Sequence, residues 1–243
     1  MSWISLFWVR TKTVFDLGLT EVVTVILYRI LIKLTIHPVC QLKGDIINGP
    51  FFGKSRLPKS GLPSVSSWDQ DGSLFSHIKV PLGDYPPDWL ANPITGDKSE
   101  FDLVPWWKIP DFEEKTGDVK LIWEQSRMDW VLAFAQRARN GDQKALRRLN
   151  TWLTLWLENN PPYFGANWKC GQESSIRVIH LCCAAMILGQ EKQSLLGLQQ
   201  LIELHLRRIS PTIRYAIAQN NNHGTSEAAA LYIGGSWLYS MGS

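Results

Sequence analysis

The chain of 243 residues lacks the cysteine and histidine spacing that marks a metal or redox site. Its four cysteines, Cys40, Cys170, Cys182 and Cys183, form no CxxC pair, and the adjacent Cys182 and Cys183 would point in different directions on a helix. His180 is near them in the sequence, but one histidine with scattered cysteines is not a zinc ligand set. We therefore predict no metal, no cofactor and buried free thiols.

The sequence also lacks a strong net charge. Its formal charge of +3 at pH 7 is too small to indicate a nucleic-acid partner. The first sixty residues are more basic, with eight Lys and Arg against three acidic residues. That local excess leaves two interpretations open: a surface for an anionic polymer or membrane headgroups, and an ordinary solvated face.

No apolar run is clean enough for a stable transmembrane span. Residues 22–36 are strongly apolar, but Arg29 and Lys33 interrupt them, and no small-residue cleavage site follows. We expect residues 1–39 to form an amphipathic N-terminal helix, with a membrane-associated helix as the alternative. No export signal is visible.

Tryptophan, by contrast, is unusually abundant, with 12 in the chain. Large aromatic side chains bury much apolar area and also form flat platforms for sugar rings. The count fits a heavily aromatic core, which we expect to hold most of these residues, or a glycan cleft.

Residues 40–117 differ in character from the rest of the chain. Pro, Gly, Ser and Asp recur every few residues, as in Asn48-Gly49-Pro50, which favours turns and short strands over long helices. The aromatic residues between them argue against disorder. We predict an irregular, aromatic-rich arm that is ordered and packs on the remainder.

From residue 118 onward the apolar residues follow helical spacing. Asp118 is a predicted N-cap for a helix to Arg139, and Asp142 for a helix that ends at Asn159-Asn160-Pro161-Pro162. Further helices are predicted over residues 172–188, 192–208, 210–218 and 225–237. Six helices with short connections are antiparallel neighbours in a bundle, a repeat array or a toroid of helical hairpins. No internal repeat of fixed period supports a solenoid.

Two of the helix connections combine polar and aromatic residues. The first spans residues 159–177. It presents Asn167 and Trp168, an amide and a flat ring that can meet a sugar, and Glu173 and Arg177, which can pair four residues apart on one helix face.

The second connection runs from Asn220 to Glu227. Its three asparagines tolerate left-handed backbone and can cap a helix, and Glu227 favours the positive end of the helix dipole. Taken alone, both connections are also explained as ordinary turns between helices.

Together with Trp123-Glu124-Gln125-Ser126-Arg127, which precedes them, these connections form an ordered set of motifs that resembles the heparinase II/III family of polysaccharide lyases. That family carries a WE-x-x-R helix, an N-P-P…G-x-N-W…G-x-E-x-x-x-R connection and an N-N-H…E-A-A segment. The resemblance implies a mainly α fold: an incomplete (α/α) toroid of antiparallel helical hairpins over residues 118–243, preceded by the irregular aromatic-rich arm at residues 40–117. The family's C-terminal β-sandwich is not visible in this sequence.

The resemblance further implies β-elimination at a uronic acid, in which the enzyme must neutralise the carboxylate before a base removes the C5 proton. Asn222 would neutralise the carboxylate, and His223 would assist it or serve as the base. The residues that the resemblance assigns to substrate binding are Glu124, Arg127, Tyr163, Asn167, Trp168, Glu173 and Arg177.

The sequence departs from the family in one respect, since the usual catalytic tyrosine lies well after the N-N-H segment. Tyr232 and Tyr239 follow that segment too closely. We therefore expect the N-terminal part of a lyase for acidic glycans of the heparan sulfate or alginate kind, with little activity as this chain. We also expect a C-terminal β-domain in the full-length protein and a bacterial, periplasmic location.

The alternative is a non-catalytic helical protein that binds carbohydrate or acts as a scaffold. A helical-toroid glycoside hydrolase is a third possibility, but it would need paired carboxylates across a cleft. Glu124, Glu173 and Glu227 each have a local structural role available instead.

Overall fold

The computed structural model describes residues 18–61, 68, 71–81 and 85–242, and over these residues the protein is mainly helical, as predicted. The described α-helices are α1 Leu19–Lys33, α2 Lys120–Gln125, α3 Asp129–Arg139, α4 Gln143–Asn159, α5 Gly171–Ile187, α6 Leu196–Ile209, α7 Ile213–Ala218 and α8 Asn222–Ser240. The first part of the predicted N-terminal helix, residues 1–17, lies outside the described residues.

The described residues between α1 and α2 form turns and short strands. Strands β1 (Asp71–Leu74) and β2 (Ile78–Pro81) pair antiparallel, and so do β3 (Phe112–Glu113) and β4 (Gly117–Asp118). Single 3-10 turns occur at Pro38–Gln41, Trp106–Lys108, Ala166–Trp168 and Ser210–Thr212. The turn at Trp106–Lys108 brings two indole rings next to the helices.

Helix α4 forms as the sequence predicts. The Asp142 carboxylate accepts hydrogen bonds from the backbone N–H groups of Lys144 and Ala145, at 2.9 and 3.0 Å, and so caps the first turn. Its apolar stripe is fully or almost fully buried, and it consists of Ala145, Leu149, Trp152, Leu153, Trp156 and Leu157.

The single helix predicted from Asp118 to Arg139 is wrong. The chain forms α2 and α3 with a break at Ser126–Met128, where Met128 has a left-handed φ of 66° and is fully buried. The break lets the Ser126 hydroxyl accept a hydrogen bond from Trp156 Nε1 at 3.1 Å. Tertiary contacts therefore override a helical pattern that is continuous in the sequence.

Two further helices begin at residues other than the predicted ones. The helix predicted from Lys192 begins at Leu196, and the helix predicted from Thr225 begins at Asn222. Asn221 is the N-cap of α8, and its side chain accepts the His223 N–H at 2.9 Å. As a result, Asn222 and His223 belong to the first turn of α8 and not to the loop before it.

Helix α5 lies at the centre of the helical part, where it packs against α3, α6 and α8. Close approach of α8 depends on Ala230 and Gly234, because a Cβ on Gly234 would lie 2.9 Å from Val178 Cγ1. Thr225 and Ala228, two other small residues of α8, are exposed.

Helix α1 packs on α7, where the rings of Tyr28 and Tyr215 stack with centroids 3.8 Å apart. Its other face leaves large apolar side chains exposed, at Leu19, Val23, Ile26, Leu27, Ile30 and Leu34. Within the described ranges, no helix combines the length and the apolar character needed to cross a membrane.

Eight tryptophans are buried in the described part of the chain, as expected for most of the 12. They are Trp68, Trp89, Trp106, Trp123, Trp130, Trp152, Trp156 and Trp168.

Candidate functional site

Three residues assigned to sugar binding, Tyr163, Asn167 and Trp168, are at most 1% exposed. The Asn167 amide donates to Asn160 Oδ1 at 2.8 Å and to the Trp89 carbonyl at 2.9 Å. Trp168 Nε1 donates to the Asn160 carbonyl at 3.0 Å, and burial raises the pKa of Tyr163 to about 12. A glycan has no access to these side chains, which hold the start of α5 in place.

Arg177, a fourth assigned residue, is buried behind them. Its Nε donates to His205 Nε2 at 2.9 Å, its Nη2 donates to the Asn167 carbonyl at 2.7 Å, and its guanidinium lies 5.1 Å from the Trp156 ring centroid. Burial lowers the pKa of Arg177 to about 10, and burial together with the Arg177 charge lowers that of His205 to about 3. We call the set Asn160, Tyr163, Asn167, Trp168, Arg177 and His205 the buried cluster.

The predicted Glu173–Arg177 ion pair does not form. The Glu173 carboxylate instead accepts two hydrogen bonds from Arg127, from Nε at 2.9 Å and from Nη2 at 3.0 Å. Arg127 also pairs with Glu124, whose other oxygen accepts the Phe75 N–H at 2.7 Å. The bidentate contact with Glu173 raises the pKa of Arg127, so its charge is fixed.

This ion-pair network holds α2 against α5, and its three charged members do not line the cavity to which Trp106, Trp107 and His223 contribute. Trp123, which immediately precedes Glu124, does line that cavity and donates from Nε1 to the Ala166 carbonyl at 2.8 Å. Of the WE-x-x-R residues, Trp123 therefore lines the cavity, whereas Glu124 and Arg127 connect α2 to α5.

The cavity itself has a volume of about 470 Å³, and we call it the cleft. It lies where α1, the turn at Trp106–Lys108 and the N-terminal ends of α5 and α8 meet. Its lining residues are Tyr28, Arg29, Ile32, Trp106, Trp107, Asp111, Trp123, Lys169, Cys170, Gly171, Arg208, Thr212, Tyr215, Gln219, His223 and Glu227.

His223 and Glu227 stand one turn apart on α8 at the floor of the cleft. The His223 Nδ1 lies 3.6 Å from Glu227 Oε1, and the imidazole also contacts the Cys170 thiol. Contact with Cys170 and then with Glu227 raises the pKa of His223 to about 10. The imidazole is therefore protonated at neutral pH.

Glu227 is only 3% exposed, and it lies against the N-terminal end of α5. A Cβ at Gly171 would come within 2.6 Å of Glu227 Oε1, so the approach requires glycine there. The positive end of the α5 dipole favours the carboxylate at this place. Even so, Glu227 Oε2 is buried with no hydrogen-bond partner among the described residues.

Two indole N–H groups in the cleft are likewise buried without a hydrogen-bond partner in the described part of the chain. Trp106 and Trp107 line it, and neither Nε1 has a hydrogen-bond partner among the residues described. Buried indole N–H groups without a partner in the described ranges also occur away from the cleft, at Trp89, Trp130 and Trp152. What favours a polar ligand is that two such donors and an unpaired carboxylate oxygen line one cavity together.

The cleft is also richer in positive than in negative charge. Its lining carries four cationic side chains, counting protonated His223, against the two carboxylates of Asp111 and Glu227. The guanidinium of Arg208 lies 3.8 Å from the Trp106 ring centroid and donates to the backbone carbonyls of Trp168 and Lys169. The Lys169 ammonium pairs with Asp111 at 2.9 Å, so one of the two acids is already matched.

Of the two predicted catalytic residues, His223 lines the cleft, whereas Asn222 is exposed and is not one of its lining residues. Sequence reasoning missed Tyr28, Trp106, Trp107 and Arg208 as cleft residues. One signal was available for Arg208, which falls on the same helix face as the buried Leu201 and Leu204. An arginine on an apolar stripe often marks a polar site.

Cys170 and Cys183 are half-buried, so the prediction that all four thiols are buried is wrong for these two residues. No group of three or more His, Cys, Asp or Glu side chains within the described part of the chain is arranged to hold a metal ion. Comparison with protein-family models, curated proteins and solved structures finds no match to this chain.

Proposed function

We propose that the cleft binds an acidic, uronate-containing glycan and that the chain is the N-terminal part of a polysaccharide lyase that cleaves such glycans by β-elimination. In this proposal the helices from residue 118 onward form one part of an (α/α) toroid. The observation that carries the proposal is the meeting, around one cavity, of unpaired Trp106 and Trp107 donors, an unpaired Glu227 acceptor and a protonated His223.

The aromatic and polar lining supports a sugar ligand. Sugar rings present apolar C–H faces that pack on aromatic rings and hydroxyl groups that both donate and accept hydrogen bonds. Five of the lining residues are aromatic, and Glu227 Oε2 can accept from a hydroxyl while the indole N–H groups donate to one. An apolar ligand would leave all three of these atoms unpaired.

The charge of the lining supports an acidic sugar. A protonated His223 donates a charge-assisted hydrogen bond to a carboxylate, and the nearby guanidinium of Arg208 adds positive potential. Protonation also bears on the two roles that the family resemblance offers for His223. A protonated imidazole cannot accept the C5 proton, so neutralisation of the uronate carboxylate is the role we assign to it.

Tyr28 adds a proton donor to the same cleft. Burial raises the pKa of its phenol, which is therefore protonated at neutral pH and can donate to a glycosidic oxygen. The cleft thus supplies groups for binding and charge neutralisation, which are two of the requirements of a β-elimination site.

The second candidate function is non-catalytic carbohydrate binding, which the position of Asn222 favours. Its side chain is exposed and does not line the cleft, so the residue that the resemblance names as neutraliser is not in contact with the cavity. Turnover separates the two functions. A lyase releases unsaturated uronate from the glycan, whereas a binding protein holds the glycan without releasing any.

The test uses heparan sulfate, chondroitin, hyaluronan and alginate. Calorimetry measures binding, and ultraviolet absorbance detects unsaturated uronate released by the chain and by a version extended downstream of Ser243. Binding of at least one of these glycans is expected, with turnover in the extended version. Binding without turnover by either version supports the second candidate, and the absence of binding to all four contradicts both.

A further inference from the structure

The four thiols of the chain differ sharply in their surroundings. Cys40 and Cys182 are buried, and burial raises the pKa of Cys40, Cys182 and Cys183, to about 12 for Cys182. Cys170 is half-buried and is the one described cysteine that lines the cleft. A reagent that reaches the cleft therefore meets this thiol first.

Cys170 also lies at the start of a helix. It is the N-cap of α5, a helix of 17 residues, and its side chain contacts the imidazole of His223. The anion is the reacting form of a thiol, and reactive cysteines in proteins are found in partly exposed surroundings.

A second and independent feature shows that the same cavity has room and polarity for a charged group. Glu227 is 3% exposed and its Oε2 has no hydrogen-bond partner among the described residues, so it can accept from an ammonium group. Arg29 lines the same cavity, is exposed and can receive a carboxylate. The cleft therefore suits a small molecule that carries both an amine and a carboxylate.

We propose that Cys170 is a covalent modification site for small disulfides that carry amine and carboxylate groups, of the oxidised glutathione class, and that the adduct closes the cleft to glycan. The Cys170 sulfur attacks one sulfur of the disulfide. The S–S bond of the small molecule breaks as the new S–S bond to Cys170 forms. The second half leaves as a thiolate that takes a proton from solvent, and an added thiol reverses the step.

The closing of the cleft rests on the proposed glycan-binding function, whereas the modification itself does not. The adduct occupies the cavity that His223 and Glu227 line, and it removes the imidazolium and the carboxylate from reach of a sugar. Modification at Cys170 therefore regulates the cleft without any change in the fold.

The experiment treats the full chain with oxidised glutathione and locates the adduct by peptide mass spectrometry. We expect Cys170 to be modified first, with the rate about tenfold lower in His223→Gln because the cation beside the sulfur is lost. Cys183→Ser is the matched control, since Cys183 lies on the same helix outside the cleft, and it should react like the unmodified sequence. Thermal melting of each variant checks that it is folded.

Affinity for the uronate glycan is measured on the same samples before oxidation, after oxidation and after reduction. We expect it to fall at least tenfold with the adduct and to return on reduction. Adducts on Cys40, Cys182 or Cys183 before Cys170, or none at all, would overturn the modification site. A Cys170 adduct with unchanged glycan affinity would overturn the closing of the cleft. An adduct on a chain that never binds glycan would support the modification site and contradict the proposed function.

Discussion

Two histidines of this protein stand in opposite environments. His205, in the buried cluster, is fully buried beside Arg177, and its pKa falls to about 3. His223, in the cleft, contacts Cys170 and Glu227, and its pKa rises to about 10. At neutral pH the first is a neutral acceptor and the second is a cation.

The difference comes from what each histidine has to pair with. His205 accepts the Arg177 Nε–H and its Nδ1 lies 2.8 Å from the Leu201 carbonyl, so both ring nitrogens are used and the ring must stay neutral. His223 has a carboxylate and a thiol beside it in a cavity that leaves other polar atoms unpaired. The buried cluster also has atoms that are unpaired among the described residues, at Asn167 Oδ1 and Arg177 Nη1, but neither residue lines the cleft. A polar group is available for a ligand where it lines a cavity and its bonds are not made within the fold.

The largest expected effect tests whether the buried cluster is structural. Arg177→Met removes the donors to Asn167 and His205, and we expect the free energy of unfolding to fall by about 3 kcal/mol because these buried acceptors lose their partners. Urea unfolding measures the change. The exposed Arg214→Met is the matched control and should stay within about 0.5 kcal/mol. A loss as small as that of the control would mean that the buried cluster adds little to the fold.

The next effect tests whether the cleft is a ligand site. His223→Gln removes the cation but keeps a polar side chain, and we expect affinity for a uronate glycan to fall about tenfold, or about 1.4 kcal/mol. Lys192→Gln removes an exposed cation outside the cleft and should leave the affinity as it is. Equal losses in the two variants would show that overall charge, and not this cleft, attracts the glycan.

The two histidines also predict opposite dependences of stability on pH. His205 binds protons more weakly when folded, so its contribution is present above about pH 6.5 and is lost as pH falls toward 3. His223 binds them more strongly, so its contribution is present below about pH 6.5 and is lost as pH rises through 10. The slope of the free energy of unfolding is at most about 1.4 kcal/mol per pH unit for each histidine, and smaller for the partly exposed His223.

Unfolding free energies of the unmodified chain, His205→Asn and His223→Gln between pH 4 and 10 measure these slopes. The gap between the unmodified chain and each variant should close at the acid end for His205 and at the alkaline end for His223. Parallel curves at both ends would contradict the assigned protonation states.

The smallest expected effect is on stability, and it distinguishes the roles of the neighbouring residues Asn221 and Asn222. Asn221 caps α8, so Asn221→Ala should cost about 1 kcal/mol of unfolding free energy. Asn222 is exposed in the first turn, and Asn222→Ala should change stability by less than about 0.5 kcal/mol. Thermal unfolding compares the two, and a reversed order would mean that the cap is assigned to the wrong residue.

Local patterns predicted the helical part of the fold well. The Asp142 cap and the stripe from Ala145 to Leu157 are properties of one helix, so a single sequence contains them. The break at Met128 was not predictable because it depends on the distant Trp156. The same limit applies to the cleft, where only tertiary packing brings Tyr28, Trp106 and His223 together.

Two of the motifs lie beside the cleft, but several of their residues are buried away from it. Residues 159–177 and 220–227 do flank the start of α5 and α8, where the cleft lies. Spacing could not tell which side chains turn inward, however, so Trp168 and Arg177 were assigned to sugar contact although they are buried. Burial depends on neighbours that are far away in the sequence.

The central claim is that the cleft binds a uronate through protonated His223. The most direct test is calorimetry at pH 7 with a uronate tetrasaccharide and with the same tetrasaccharide after its carboxylates are reduced to alcohols. We predict that the acidic form binds at least about tenfold more tightly and that the difference disappears in His223→Gln. Equal binding of the two forms, or the same preference in His223→Gln, would contradict the claim.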